Sequence, residues 1–271
     1  MRTRALGSHH FDDWNAKHLG DLDFRQLKAK LAALPDNLKT FNNIASLLKL
    51  VSEYGDKARL VRELPHDSVD MRRLQKPKPD PLTLAEADLA IAKVRDPRGV
   101  NFYEFALFTG LKPNEQIALR WTHIDLRAGT ATIQMARTRA KAKTTKTGEE
   151  RTVELNALAR AAIERQRAVS QLVGEQVFVG IDNQPYTTTD GPLEAWWKPA
   201  MKLSGLRHRD ARQTRQTYAT LCLHASLTPA WVAKQLGHSV EMCYRVYSKW
   251  IEGADMGAET RKLDAFIERK V

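Results

Sequence analysis

Apolar residues along this chain recur mainly at three- and four-residue spacing, so most of it reads as amphipathic helix. Leu27, Leu31 and Leu34 mark a first helix, which Pro35-Asp36-Asn37 breaks. A second, about Leu38 to Tyr54, gathers Phe41, Ile44, Leu47, Leu48 and Val51 on one face, while Lys39, Asn42, Asn43 and Lys49 lie mostly elsewhere on it. The periodicity then stops. From Gln75 to Pro81 the sequence QKPKPDP is proline-rich and charged, which predicts an extended, semi-rigid connection. Beyond it, Thr83 and Glu86 have capping-box spacing and open a new helix. The boundary is drawn here, with a helical first domain over 1–76, a linker over 77–81 and a second domain over 82–271.

The second domain mixes periods. A helix carrying Phe102, Phe105, Ala106 and Phe108 ends at Gly110, and Pro113 and Glu115 open the next, predicted to run through Trp121. Thr130, Thr132 and Gln134 alternate with Ala131, Ile133 and Met135, which reads as a strand. Arg151–Leu155 and Gln176–Val179 read as further short strands. Helices are expected at about Ala157–Leu172, Pro192–Leu203, Thr214–Ala225, Pro229–Leu236 and Glu241–Trp250. A tail helix over Thr260–Glu268 would put Leu263, Phe266 and Ile267 on its apolar side. The fold class is therefore mainly α with a small β-sheet.

Composition narrows the function. The 271 residues are 42% hydrophobic, enough for a packed core, and carry a net charge of +11. A pI near 9.7 suits a polyanionic partner, although a basic face turned to water gives the same number. The polar side of the second helix is in the same position, being either solvated or a DNA surface. Cys222 and Cys243 lack CxxC spacing, so neither a disulfide framework nor a zinc site is indicated and a reducing cytoplasm fits. The start, MRTRALGSHHFDDW, lacks the long apolar run of a signal peptide, and His9-His10 reads as a solvated start rather than a metal pair. Nothing approaches the roughly 20 apolar residues of a membrane span.

The chemistry concentrates near the C-terminal end. Arg215, in RQTYAT, is followed by LGHSVEMCYRVYSKW, which holds His238 and, nine residues later, Tyr247. A guanidinium grips two phosphate oxygens in a fork, an imidazole adds a donor, and a phenol can attack phosphorus. This set suits cleavage of a phosphodiester by a protein nucleophile. Tyr244 is a second candidate for that role. A phenol of ordinary pKa near 10 needs cationic neighbours to become a competent attacker.

In these boxes the second domain, from about Pro81 to Trp250, resembles the catalytic domain of the tyrosine recombinases, the phage-integrase family, and the helical first domain is similar to that family's core-binding domain. The resemblance picks Tyr247 as the nucleophile, leaves Tyr244 and Trp250 as packing residues, and aligns Arg215 with a catalytic arginine and His238 with the box histidine. In TGLKPNEQIALRW the family carries a catalytic arginine where Lys112 stands, followed by an acid at Glu115. Lysine keeps the charge but loses the planar fork. Three residues before Arg215 the family has histidine, sometimes lysine or tyrosine, where Arg212 stands. A guanidinium is a poor proton acceptor, so phosphate contact is its allowed role. Gln216 likewise replaces a common histidine. In ARTRAKAKTTKTGEERTVEL, Lys146 matches a hairpin lysine that protonates the leaving 5′-oxygen. Arg137, Arg139, Lys141 and Lys143 beside it, and Arg207 and Arg209 before Arg215, are candidates for backbone phosphates.

The resemblance implies an integrase of a mobile element that cuts and rejoins double-stranded DNA at attachment sites through a 3′-phosphotyrosyl intermediate, with no metal, ATP or other cofactor. It also implies a homo-tetramer on synapsed DNA, possible accessory DNA-bending factors, no membrane, and a bacterial cytoplasmic, nucleoid-associated location. The apolar tail stripe suits docking on a neighbouring copy, or packing within one chain. No arm-type DNA-binding domain stands before Phe11, so either the element lacks one or the chain is a fragment. The departures at Lys112 and Arg212 leave open a DNA-binding relative with weakened catalysis, and a type IB topoisomerase would share the chemistry.

Overall fold

The computed structural model describes residues 9–15, 17–18, 21, 23–60, 69–73, 78–138, 141–144, 150–251 and 258–268. The chain divides into two compact units, 1–78 and 79–271.

In the first unit, α1 (Phe24–Ala32) starts from a reciprocal capping box between Asp23 and Gln26. Helix α2 (Leu38–Lys57) starts at Asn37, whose side-chain oxygen accepts from the N–H groups of Lys39 and Thr40, each at 3.1 Å. These caps satisfy N–H groups that a helix start leaves without partners. Leu27, Leu31, Leu34, Phe41, Ile44, Leu47 and Leu48 then pack with Phe11 and Val69 into one core. Val51, expected on that face, is half-buried. Asn42, read as a DNA-facing residue, is a structural one. Its amide donates to the Arg72 carbonyl at 2.7 Å and accepts from the Arg72 N–H at 2.9 Å, which holds the Arg72 guanidinium 3.8 Å from the Phe41 ring.

In the second unit, Thr83 and Glu86 do form a capping box, at the start of α3 (Leu84–Ala92). Helix α4 (Pro97–Thr109) ends at Gly110 in the left-handed conformation, φ 64°. Helix α5 (Pro113–Gln116) is much shorter than expected. The reason is tertiary: Val177 N–H donates to Leu119 and Trp121 N–H to Glu175, which draws the segment into an extended bridge between Arg120 and Gln176. For the same reason Gln176–Val179 forms isolated bridges instead of a strand. A three-stranded antiparallel sheet follows, ordered β1 (Ile124–Asp125), β2 (Thr130–Ile133) and β5 (Arg151–Glu154), with Ala131 opposite Val153. The predicted alternating strand breaks at Gln134, and β3 (Met135–Thr138) pairs separately with β4 (Lys141–Thr144).

Helix α6 (Ala157–Ser170) packs along α4. The helix expected over Pro192–Leu203 contains a π-helical turn, Leu193–Trp197, before α7 (Lys198–Ser204). Trp196 and Trp197 on that turn both enter the core, where Trp197 Nε1 donates to the Arg209 carbonyl at 2.8 Å. Phe102, Phe105 and Phe178 complete the aromatic centre, with the Phe102 and Phe178 rings edge-to-face at 5.1 Å. A second, smaller core joins α8 (Gln213–His224), α9 (Pro229–Leu236) and α10 (Val240–Ile251) through Tyr218, Cys222, Val232, Leu236, Cys243 and Tyr247. Helix α11 (Ala258–Glu268) follows, with Ile267 exposed. The fold is mainly α with a small sheet. Among the described residues no helix is long and apolar enough to cross a membrane.

Gly99 on α4 tests this packing. A β-carbon there would lie 2.6 Å from the Trp196 ring and 2.7 Å from Val94. Gly99→Ala should therefore destabilise the second unit by about 1–3 kcal/mol through overpacking, read as a lower urea midpoint at unchanged slope.

Candidate active site

Two chain reversals build the site. Gly110 closes α4 and Gly237, φ 64°, closes α9. Each reversal leaves a carbonyl facing the guanidinium of Arg215 on α8: Nη1 donates to Gly110 O at 2.8 Å and Nη2 to Leu236 O at 2.5 Å. No larger residue fits at 110, where a β-carbon would lie 2.6 Å from Tyr218 and 2.8 Å from Leu236. The turn at Gly237 brings His238 Nε2 to 2.8 Å from Arg215 Nη2. A guanidinium has only donors, so Nε2 accepts and the imidazole is neutral. Burial, reinforced by the charges of Arg215, Lys112 and Arg151, holds His238 down at about 4. Burial also lowers Arg215 to about 10, against the pull of Glu115.

One carboxylate organises the neighbouring cations. Glu115, 2% exposed, takes both ends of the Arg151 fork, at 3.1 and 2.6 Å, and accepts from Lys112 Nζ at 3.1 Å. Burial pushes its pKa up, but the Arg151 hydrogen bonds and charge, with Lys112 and Arg215, win and hold it at about 2. Arg151 also donates from Nε to the Gln235 carbonyl at 3.1 Å. The sequence reading placed Arg151 only at a strand start. An arginine two residues before an inward-facing valine carried no signal of a partner far along the chain.

Tyr247 on α10 is fully buried, and its phenol donates to the Gln216 side-chain carbonyl. Burial raises it to about 12, with Arg215 opposing. Tyr244 is 48% exposed and is not the packing residue it was expected to be, because it faces away from the small core. Beside Arg215 and Gln216 lies a cleft of about 510 Å³, lined also by Lys112, Arg137, Arg212 and Asp190. Arg212 is exposed, and Arg137 donates to the Tyr186 carbonyl at 2.9 Å. Among the described residues no cluster of three or more His, Cys, Asp or Glu is placed to hold a metal.

Several expected phosphate contacts stand elsewhere. Arg209 is buried, with its side chain tied to Glu86 at 2.9 Å and Asp80 at 3.4 Å, so it is a structural ion-pair residue. Arg207 is exposed but gives both Nη atoms to Asp80, at 2.5 and 2.6 Å. Lys39 and Asn43 are exposed and Lys49 half-buried. Lys141 and Lys143 lie on β4, while Arg139 and Lys146 lie outside the described residues.

Comparison with known proteins bears on this geometry. The model of the phage integrase family matches residues 84–250. The chain belongs to the phage integrase family. It is 28% identical over 239 residues to IntQ of Escherichia coli (strain K12), a protein whose name carries the word defective, covering 78% of this chain and 60% of IntQ. It is 26% identical over 248 residues to the prophage integrase IntR of the same strain, covering 82% and 59%. The chain thus spans about 60% of the length of these relatives. In fold it is similar to the Tn1549 transposon integrase in complex with a circular intermediate DNA, with TM-score 0.70, 17% identity and coverage of 98% of this chain and 94% of that one. It is likewise similar to a lambda integrase dimer bound to a COC′ core site, with TM-score 0.69, 16% identity and coverage of 94% and 88%. The family match takes in the buried Arg215 and Tyr247 and the half-buried His238, together with the Lys112 turn.

The two depressed groups make stability fall with acid in two windows. His238 folds neutral, so stability is full above the unfolded pKa near 6.5 and is lost as pH falls towards 4. Glu115 folds ionised, so its contribution is present above about 4.5 and is lost as pH falls towards 2. Urea unfolding across pH 2–8 should show both declines. Glu115→Gln should remove the lower one, a contribution of roughly 3 kcal/mol at neutral pH.

Proposed function

We propose that the chain is a site-specific recombinase, the integrase of a mobile element, in which Tyr247 attacks a scissile phosphate of double-stranded DNA. The observation that carries this reading is the meeting of Tyr247, Arg215 and His238 beside one cationic cleft. The Tyr247 oxygen bonds to phosphorus as the bond to the 5′-oxygen breaks, leaving a 3′-phosphotyrosyl link and a 5′-hydroxyl. Arg215, Lys112 and His238 take up charge developing on the non-bridging oxygens, and Arg212 adds a phosphate contact. Lys146 protonates the leaving oxygen, and the proton that the phenol sheds passes to water, so that one proton is gained and one lost. Attack by another strand's 5′-hydroxyl reverses the step and releases Tyr247. The ester preserves the bond energy, so neither ATP nor a metal enters.

The resting contacts support this order of events. The phenol proton rests on an amide oxygen, a weak base, and the raised pKa keeps Tyr247 protonated. A phosphate entering the cleft brings the anion that the cations lack, and positions the phenol for in-line attack. The two units, joined through the segment around Pro79, bind the duplex as core-binding and catalytic domains. Assembly as a tetramer on synapsed duplexes, with accessory bending proteins, completes the proposal. Lambda integrase has been solved as a tetramer bound to a Holliday junction.

A second reading, a DNA-binding relative with weakened catalysis, is favoured by one observation. Lys112 is engaged with Glu115 and lacks the fork of an arginine. Denaturing electrophoresis after incubation with a pool of nicked duplexes of randomised sequence separates the two. The recombinase reading expects a covalent adduct that Tyr247→Phe abolishes and Tyr244→Phe retains. Arg215→Ala should reduce adduct formation by about 10²-fold or more, and Lys112→Arg should increase it. Tight duplex binding with no adduct, restored by Lys112→Arg, would establish the weakened relative. An adduct that survives Tyr247→Phe would overturn both.

A further inference from the structure

Arg151 lies outside the group of residues that face the cleft, yet it ties together the two turns that carry the cations and the imidazole. Its Nη atoms hold both oxygens of Glu115, whose Oε1 also receives Lys112 Nζ and whose Oε2 receives the Lys112 backbone N–H at 3.1 Å. On the other side its Nε holds the carbonyl of Gln235, two residues before the turn glycine of His238. The side chain runs directly beneath that turn: a β-carbon on Gly237 would sit 3.0 Å from Arg151 Cδ and 3.2 Å from Nε and Nη1. Gln235 in turn fixes α9 to β5, because its side-chain oxygen accepts from the Glu154 N–H at 2.9 Å.

The geometry points to Arg151 as a positioning residue for the proposed phosphoryl transfer: it donates to each oxygen of Glu115, which limits the hold of that carboxylate on Lys112 Nζ to one shared oxygen and leaves Arg215 to phosphate, and it sets the height of the His238 turn. This rests on the reading of Tyr247 as nucleophile. The charged groups facing Glu115 are Arg151, Lys112 and Arg215, and all three are cations. Without Arg151 the cations left facing the buried carboxylate among the described residues are Lys112 and Arg215. Both are the groups that must bind the incoming anion, and a carboxylate competes for them directly. A lysine in place of Arg151 supplies one point charge in place of three directed donors, so charge alone does not replace it.

Two measurements test this. In the first, without DNA, carbon NMR of labelled glutamate side chains follows Glu115 from pH 2 to 7. Its midpoint should lie near 2 in the unaltered chain and rise by at least one pH unit in Arg151→Met, with circular dichroism confirming that the variant is folded. An unmoved midpoint overturns the assignment. In the second, single-turnover adduct formation is measured on the duplex recovered from the randomised pool. Arg151→Met should lower the saturated rate about tenfold or more while duplex affinity stays within threefold. Adding Glu115→Gln should restore part of that rate, because the competing carboxylate is gone, and Arg151→Lys should fall between. A loss of affinity at unchanged rate, or no rescue by Glu115→Gln, would make Arg151 a scaffold residue only. If the unaltered chain forms no adduct at all, the recombinase reading fails, and the glutamate titration still decides whether Arg151 balances Glu115.

Discussion

Two helices end on one guanidinium. The C-terminal carbonyls of α4 and α9, at Gly110 and Leu236, both point at Arg215, and the negative ends of two helix dipoles therefore stabilise a charge that burial disfavours. An arginine cannot escape desolvation by losing its proton at neutral pH. The fold must supply acceptors, and it does so with backbone whose direction is fixed by two left-handed glycines. Everything else at the site inherits its position from this arrangement. His238 follows directly after one of those glycines, Lys112 stands two residues after the other, and Tyr247 packs in the small core shared by α8, α9 and α10.

The charge count of the site explains its resting state. Among the described residues Arg215, Lys112 and Arg151 face one buried acid, Glu115, and His238 stays neutral first because it is largely desolvated and then because all three cations would repel its charge. The surplus is positive, and its Arg215 and Arg151 parts are sheltered from water, where electrostatic interactions are least screened. Neutral groups occupy the directions an anion would take. His238 Nε2 accepts from Arg215, the Gln216 amide accepts from Tyr247, and His238 Nδ1 is buried with no hydrogen-bond partner among the described residues. A buried polar atom left unsatisfied is costly. Ligand chemistry with several acceptor oxygens would relieve these compromises together.

How far the sequence carried this structure depended on whether the deciding contact was local. The capping pair Thr83–Glu86 and the glycine after Thr109 were legible because their partners lie within four residues. The boxes around Arg215, His238 and Tyr247 were legible because they are short and ordered along the chain. Contacts across 30 or more positions were not. Nothing in the spacing of Asn42 marks it as the clamp on Arg72, and nothing in RHRDAR separates Arg209, tied to Glu86 123 positions away, from Arg212, which reaches the cleft. The truncated α5 and the absent strand at Gln176–Val179 have one cause, a pairing between Arg120 and Gln176 that competes with local helix propensity and wins.

These internal pairings also locate the charge that is left for a partner. Arg151, Arg165, Arg207 and Arg209 each meet a carboxylate of the same chain, so they contribute little to the +11 that acts on the surroundings. The segment ARTRAKAKTTK, by contrast, carries five cationic side chains, Arg137, Arg139, Lys141, Lys143 and Lys146, and no acid follows until Glu149. Its first arginine lines the cleft beside Arg215. A block of like charge whose first arginine lines a cationic cleft favours polyanions over cations there. The net charge that could not by itself distinguish a solvated face from a binding surface is thus unevenly shared: much of it is cancelled inside the chain, and Arg137, Arg212, Lys112 and Arg215 gather at one cleft.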